Sequence, residues 1–248
     1  MTQSKNLGRV VWRELMTDDT DRARGFFGEL CGWKFEEMQM GDTKYTIVKL
    51  GDRGIGGLMK KPMPDVPTHF LSYVSVANVD DVSKLAAAEG GKVIVPPTKI
   101  PDVGRFCIFV DFAGAAIAAL QGDSEGPPPP ERPGLGEFCW ETLSTSDTNK
   151  AKAFYSKVFG WKAHDNMGPD MLVLGPESGP VADVQKAENM PPNWLTYVVV
   201  EKLEAANQRV EKLGGKVLMP LIEVPKVGRI SAVQEPTGAV LGLFQPMM

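Results

Sequence analysis

The sequence predicts an α+β fold built from four βαβββ modules in two tandem halves. Three observations carry this: an internal repeat, apolar periods that switch between strand-like and helix-like, and many turn residues. The repeat is the strongest. Trp12-Arg-Glu-Leu-Met-Thr-Asp-Asp-Thr-Asp-Arg-Ala-Arg-Gly-Phe-Phe, running into Gly32-Trp33-Lys34, returns 128 positions later. There it reads Trp140-Glu-Thr-Leu-Ser-Thr-Ser-Asp-Thr-Asn-Lys-Ala-Lys-Ala-Phe-Tyr, running into Gly160-Trp161-Lys162. A second block returns after 124 positions: Leu71-Ser-Tyr-Val as Leu195-Thr-Tyr-Val, and Gly90-Gly-Lys-Val as Gly214-Gly-Lys-Val. Pro101-Asp-Val-Gly-Arg likewise returns as Pro225-Lys-Val-Gly-Arg, and Gly114-Ala as Gly238-Ala.

Within the first half, Val10–Thr17 mixes apolar and polar residues as a strand does. Asp19 to Leu30 reads as a helix: Asp19 or Thr20 caps it, Ala23, Phe26, Phe27 and Leu30 form the apolar stripe, and Gly32 ends it. Phe35–Met40, Lys44–Leu50 and Ile55–Lys60 follow as strands separated by Gly-Asp turns. The next module opens with Phe70–Val76 and a helix from Val79 to Glu89, stopped by Gly90-Gly91. Lys92–Val95, Phe106–Asp111 and Ala115–Gln121 complete it. The second half repeats the order, with helices at Asp147–Val158 and Leu203–Leu213. Four consecutive prolines, 127–130, favour extended polyproline II and mark a spacer. The expected domains are therefore 6–122 and 135–248, joined by a linker at 123–134.

Composition narrows the function classes. Of 248 residues, 43% are hydrophobic and 23% charged, with a net charge of −4, which is ordinary for a globular protein. No basic patch marks a nucleic-acid partner. No apolar stretch approaches the roughly 20 residues of a membrane helix, and Met1–Leu7 lacks the apolar core of a signal peptide. Cys31, Cys107 and Cys139 are odd in number and widely spaced, which suits a reducing cytoplasm. All three read as small core residues. The two histidines, His69 and His164, argue against a His-rich metal enzyme.

The strand followed by Asp19…Ala23…Phe26-Phe27…Gly32-Trp33, its copy Asp147…Ala151…Phe154-Tyr155…Gly160-Trp161, and the closing patterns Gly104-Arg105…Asp111…Gly114-Ala115 and Gly228-Arg229…Glu235-Pro236…Gly238-Ala239 resemble the vicinal oxygen chelate superfamily. That superfamily includes glyoxalase I, bleomycin-resistance proteins and extradiol dioxygenases. The resemblance implies two tandem glyoxalase-like domains, each curling a mostly antiparallel sheet into a cup with its helices outside. Single-domain relatives commonly pair as dimers, so it also implies a monomeric pseudo-dimer. It fixes no reaction, because this fold hosts lyases, isomerases, dioxygenases and plain binding proteins.

In the resembling metal enzymes, ligands stand at defined strand positions. Counted from the helix-leading and closing-turn residues, those positions hold Trp12, Leu71 and Ala118 in the first half, and Trp140, Leu195 and Gly242 in the second. None is an imidazole, carboxylate or thiolate. No metal or other cofactor is therefore predicted in the usual place.

Strand alternation groups Trp12, Glu14 and Met16 on one face, with Trp140 and Thr142 as counterparts. Glu14 has two readings: a general base or residual metal ligand with its pKa raised by burial, or a rim carboxylate paired with an arginine or backbone donor. His69 shares parity with Tyr73, and its counterpart is Asn193. It reads as a weak second ligand beside Glu14 or as a strand-entry residue facing solvent. Tyr73 and Tyr197 occupy equivalent positions and read as pocket aromatics or core. Trp33 and Trp161 read as packing helix on sheet, and Arg105 and Arg229 as anion clamps or, in the favoured reading, turn braces. The leading expectation is a cytoplasmic protein that binds a small, partly apolar organic molecule without a catalytic metal. The alternatives are a glyoxalase-type lyase or isomerase using Glu14, and His69, with a divalent metal in the first half, or a scaffold with filled cups.

Overall fold

The computed structural model describes residues 6–40, 43–124, 126, 130, 132–164, 172–187 and 190–247. Most of the proline run, 127–129, lies outside the described residues. The first half contains β1 (Val10–Thr17), α1 (Thr20–Cys31), β2 (Lys34–Met40), β3 (Thr43–Leu50) and β4 (Arg53–Lys60). Its second module is β5 (His69–Ser75), α2 (Val79–Ala88), β6 (Lys92–Ile100), β7 (Gly104–Val110) and β8 (Ala116–Gly122). The second half repeats the series as β9 (Phe138–Thr145), α3 (Thr148–Phe159), β10 (Lys162–His164), β11 (Leu172–Gly175) and β12 (Ala182–Lys186). It ends with β13 (Asn193–Val199), α4 (Leu203–Lys212), β14 (Lys216–Val224), β15 (Gly228–Gln234) and β16 (Val240–Pro246). Two mixed eight-stranded sheets result, ordered β2-β3-β4-β1-β5-β8-β7-β6 and β10-β11-β12-β9-β13-β16-β15-β14. This is the α+β, two-domain architecture the repeat predicts, with four modules.

The helix boundaries follow from their caps. Asp19 accepts from the Arg22 amide at 3.0 Å and Asp147 from the Lys150 amide at 2.9 Å, satisfying amides that the first turn leaves without partners. Gly32 and Gly160 close α1 and α3 in the left-handed conformation, at φ 72° and 69°. One strand differs from expectation. β6 does not stop at Val95 but runs to Ile100 through Pro96 and Pro97. Prolines cannot donate to a ladder, yet β6 is an edge strand, and register shifts between Val93 and Thr98 absorb them.

The described chain packs into two compact units, and these are not the two repeat halves. Unit 1 comprises Met1–Trp12, Leu71–Pro130 and Glu141–Trp194; unit 2 comprises Arg13–Phe70, Glu131–Trp140 and Leu195–Met248. Each unit takes one helix from each half. In unit 2, Phe26, Phe27 and Leu30 of α1 share a core with Leu203 and Val210 of α4, against Leu15, Leu58, Val198 and Leu243. In unit 1, Val79, Val82 and Ala86 of α2 share a core with Phe154 and Val158 of α3, against Val74, Phe109, Leu143 and Leu174. Burying each such side chain contributes about 1.5–3 kcal/mol, so a helix removed from its cross-half partner loses several of these terms.

The acidic residue that closes each half is structural. Asp111 Oδ1 accepts from the amides of Ala113, Gly114 and Ala115 at 2.9, 2.9 and 3.0 Å. Its Oδ2 accepts from the Tyr155 hydroxyl at 2.9 Å, and Trp194 Nε1 donates to that hydroxyl at 3.1 Å. Glu235 organises the matching turn by accepting from the Thr237 and Ala239 amides at 2.9 and 3.2 Å.

Candidate functional site

In unit 2, Leu15 on β1 and Leu58 on β4 point into the core, so Glu14, Met16, Gly57 and Met59 face the other way. β1 and β4 run parallel, with Glu14 opposite Gly57 and Met16 opposite Met59. Glu14 is 6% exposed, a buried carboxylate turned away from the apolar core. Gly57 has a steric reason to lack a side chain. A Cβ there would lie 1.8 Å from the Tyr45 hydroxyl and 3.2 Å from Glu14 Oε1. A phenol and a carboxylate therefore converge over Gly57. Tyr45 was not a candidate from sequence, although a mid-strand Gly56-Gly57 marks close approach by another group.

In unit 1 the matching strands are β9 and β12, again parallel, with Thr142 opposite Asp183 and Ser144 opposite Gln185. Leu143, Ala182 and Val184 belong to the core, which turns Thr142, Asp183 and Gln185 to the opposite face. Thr142 Oγ1 donates to Asp183 Oδ1 at 2.6 Å, and Gln185 Nε2 donates to Oδ2 at 2.8 Å. Asp183 is 4% exposed. Sequence reasoning found Thr142 and missed Asp183, because only the strand register reveals that the two are neighbours.

Tyr73 and Tyr197 are both buried, and alternation turns them away from the core residues Val74 and Val198. Tyr73 pairs with Ala118 in unit 1 and its ring centroid stands 6.2 Å from that of Phe106. Tyr197 pairs with Gly242 in unit 2. Its ring lies directly over that glycine: a Cβ on Gly242 would fall 2.3 Å from Cδ1 and 2.5 Å from Cε1.

The remaining candidates divide between the units. Trp12 belongs to unit 1, whereas Glu14, Met16, His69 and Trp140 belong to unit 2. Both tryptophans are half-buried, as is His69. His69 Nδ1 is held by the Pro67 carbonyl at 2.7 Å, and burial, aided by the Lys61 charge, pushes its pKa below the ordinary value. A neutral imidazole results near pH 7. Arg105 and Arg229 bond the first turns of the helices: Arg105 Nη2 meets Asp80 at 3.1 Å and Arg229 Nη2 meets Glu204 at 3.1 Å. Both arginines thus brace helix against strand. Burial raises the Cys31 thiol, and the Cys107 thiol to about 11, so neither is a ready nucleophile.

The positions where the resembling enzymes hold metal do not supply ligands here. Trp12, Leu71, Ala118, Trp140, Leu195 and Gly242 offer no side-chain donor suited to a divalent ion, and the Tyr197 ring covers Gly242. Among the described residues, no three His, Cys, Asp or Glu side chains are grouped as a ligand set. A recess of about 300 Å³ in unit 2, lined by Leu30, Cys31, Val199 and Arg209 among others, contains none of the candidate residues. Among the described residues, no helix is long and apolar enough to cross a membrane.

The geometry and the repeat agree with what known proteins show. Residues 138–243 match the family described as Glyoxalase/Bleomycin resistance protein/Dioxygenase superfamily, and residues 9–51 match Bleomycin resistance protein-like N-terminal. Each half of the chain thus carries a match to a family model of the glyoxalase and bleomycin-resistance type, a type that belongs to the vicinal oxygen chelate superfamily. Over 115 residues it is 39% identical to "Putative glyoxylase CFP32" of Mycobacterium tuberculosis, a match spanning 46% of this chain and 44% of that protein. Thus the chain spans less than half the length of that relative. It is 25% identical over 254 residues to the anthracycline biosynthesis protein DauV of Streptomyces sp. (strain C5), covering 94% of this chain and 91% of that one. In fold it is similar to the Mn(II)-bound glyoxalase from Novosphingobium aromaticivorans, with a TM-score of 0.67 at 14% identity, over 97% of this chain and 82% of that one.

Proposed function

We propose that this protein binds a small, planar, partly apolar organic molecule on the sheet faces turned away from its helices, without a resident metal. The observation that carries the reading is the Tyr197 ring lying over Gly242, one of the positions at which the resemblance to metal enzymes would lead one to look for a ligand. An aromatic platform there favours flat contact over coordination. Glu14, with Tyr45 beside it, adds a buried polar contact, and Met16 and Met59 add adaptable apolar surface. The relatives aligned over 94% of the chain are named for anthracycline biosynthesis, which suggests a polycyclic aromatic ligand of that type. Each compact unit already pairs one module from each half, consistent with a chain that works as a monomer.

Native mass spectrometry of the full chain tests this. The expected species is one chain, metal-free, that gains the mass of an added anthracycline. Stoichiometric zinc, nickel, manganese or iron retained through purification would contradict it.

A further inference from the structure

The repeat aligns β1 with β9 and β4 with β12, and the strand registers make the alignment specific. Glu14 opposite Gly57 in the first half corresponds to Thr142 opposite Asp183 in the second. Each half therefore has one carboxylate at the same place in its sheet, but from different strands: β1 in the first half, β12 in the second. Neighbouring strands lie about 4.8 Å apart, close enough for a flexible carboxylate to serve the same space from either. Where the first half carries Glu14 it has glycine across the ladder; where the second carries Asp183 it has a threonine donating to it at 2.6 Å. Both carboxylates are more than nine-tenths buried and both face away from the apolar cores. A carboxylate so placed gains nothing from apolar burial and is costly to desolvate unless it accepts hydrogen bonds.

We propose that Asp183 is the second half's ligand contact, doing from β12 what Glu14 does from β1, so that both halves recognise a molecule bearing a hydrogen-bond donor or an ammonium group. This rests on the ligand-binding reading above and extends it to the half in which Thr142 stands at the repeat position of Glu14. The two contacts differ in their surroundings. Met16 and Met59 flank Glu14, whereas Ser144 and Gln185 stand at the equivalent positions beside Asp183. Gln185 Nε2 donates to Asp183 Oδ2, and Thr142 fixes Oδ1, so this carboxylate is oriented by its own neighbours. The second half accordingly favours the more polar ligand of the two.

The test is a binding titration of the full chain with daunorubicin, which carries a protonated amine on a planar aromatic frame, and with its aglycone, which lacks the amine. Stoichiometry is read by native mass spectrometry, and affinity by quenching of the drug's fluorescence. Wild type is expected to bind two equivalents of daunorubicin. Glu14→Gln and Asp183→Asn are each expected to weaken one of the two sites about tenfold or more, and the double variant to weaken both. The aglycone is expected to be much less sensitive to either change. Thr142→Glu combined with Asp183→Gly returns the carboxylate to β9 in the arrangement of the first half, and is expected to restore the second site. This rescue separates a lost contact from a misfolded strand. One site that Glu14→Gln weakens and Asp183→Asn leaves intact would overturn this proposal alone. No binding of either compound by wild type would overturn it together with the reading it rests on.

Discussion

Trp33 Nε1 donates to the buried carbonyl of Gly136 at 2.7 Å, and 128 positions on Trp161 Nε1 donates to the carbonyl of Gly8, also at 2.7 Å. Each indole follows the glycine that ends a first-module helix, and each closes the turn by which the opposite half enters its first strand. Gly8 and Gly136 are repeat partners with matching left-handed backbones, at φ 76° and 78°. Within each unit the halves are thus interlocked by the same bond used reciprocally. The indoles also stack in their cores, Trp33 at 5.3 Å from Phe27 and Trp161 at 5.7 Å from Tyr155. Packing of helix on sheet, as the sequence suggested, is half of their role.

Replacing Trp33 by Phe keeps an aromatic ring but removes the donor, leaving the Gly136 carbonyl buried without it. A loss of about 1–3 kcal/mol is expected, read as a lower urea midpoint. Gly136→Ala is expected to be worse. It forces a left-handed backbone on alanine and sets a Cβ 2.5 Å from the Cys31 carbonyl oxygen.

The Tyr155–Asp111 bond predicts an alkaline limit to stability. Burial, then the Asp111 charge, raises the Tyr155 pKa well above 10.0. In the unfolded chain this phenol ionises near its ordinary value, while the folded protein holds it neutral. Above about pH 10 the unfolded state therefore binds fewer protons, and stability falls as pH rises. Below that range the contribution is fully present. Equilibrium unfolding followed from pH 8 to 11 checks this, and Tyr155→Phe is expected to flatten the alkaline limb while lowering stability at neutral pH.

Tyr197 and Gly242 are predicted to be coupled. Gly242→Ala drives a methyl into the ring and is expected to cost about 1–3 kcal/mol. With Tyr197 already changed to Ala, the same substitution is expected to cost much less. A double-mutant cycle measured by denaturant unfolding reports this coupling. Additive effects would show that the ring moves aside freely.

Arg105 and Asp80 form a half-exposed pair, and hydrogen bonding to the guanidinium holds the Asp80 carboxyl below its ordinary range. The carboxylate favours the fold above that range and loses its contribution as pH falls through the depressed value. Asp80→Asn is expected to change stability only slightly, and less still in high salt. A large, salt-insensitive loss would show that Arg105 does more than brace α2.

Much of this was legible in the chain. Asp19, Gly32 and their copies fix helix ends through local hydrogen bonds and backbone conformation, which depend on near neighbours alone. That Glu14 and Met16 share a face of β1 followed from alternation. Asp183 and Tyr45 were hidden because their roles depend on which residue stands across the ladder, and a strand read singly does not reveal its register. The grouping of modules was hidden for a similar reason. The stripe of Phe26, Phe27 and Leu30 says that α1 is buried, but not that its partner is α4 from the other half. Gly215 of the second half records that pairing, since a Cβ there would meet the Phe26 ring at 2.9 Å.

The most direct test of the central claim is a fluorescence titration of the full chain with daunorubicin, before and after exhaustive treatment with EDTA. Saturable binding that is unchanged by chelation, and at least about tenfold weaker at the Glu14 site in Tyr197→Ala, is the predicted result. Binding that vanishes with EDTA and returns only with a divalent metal would contradict the account.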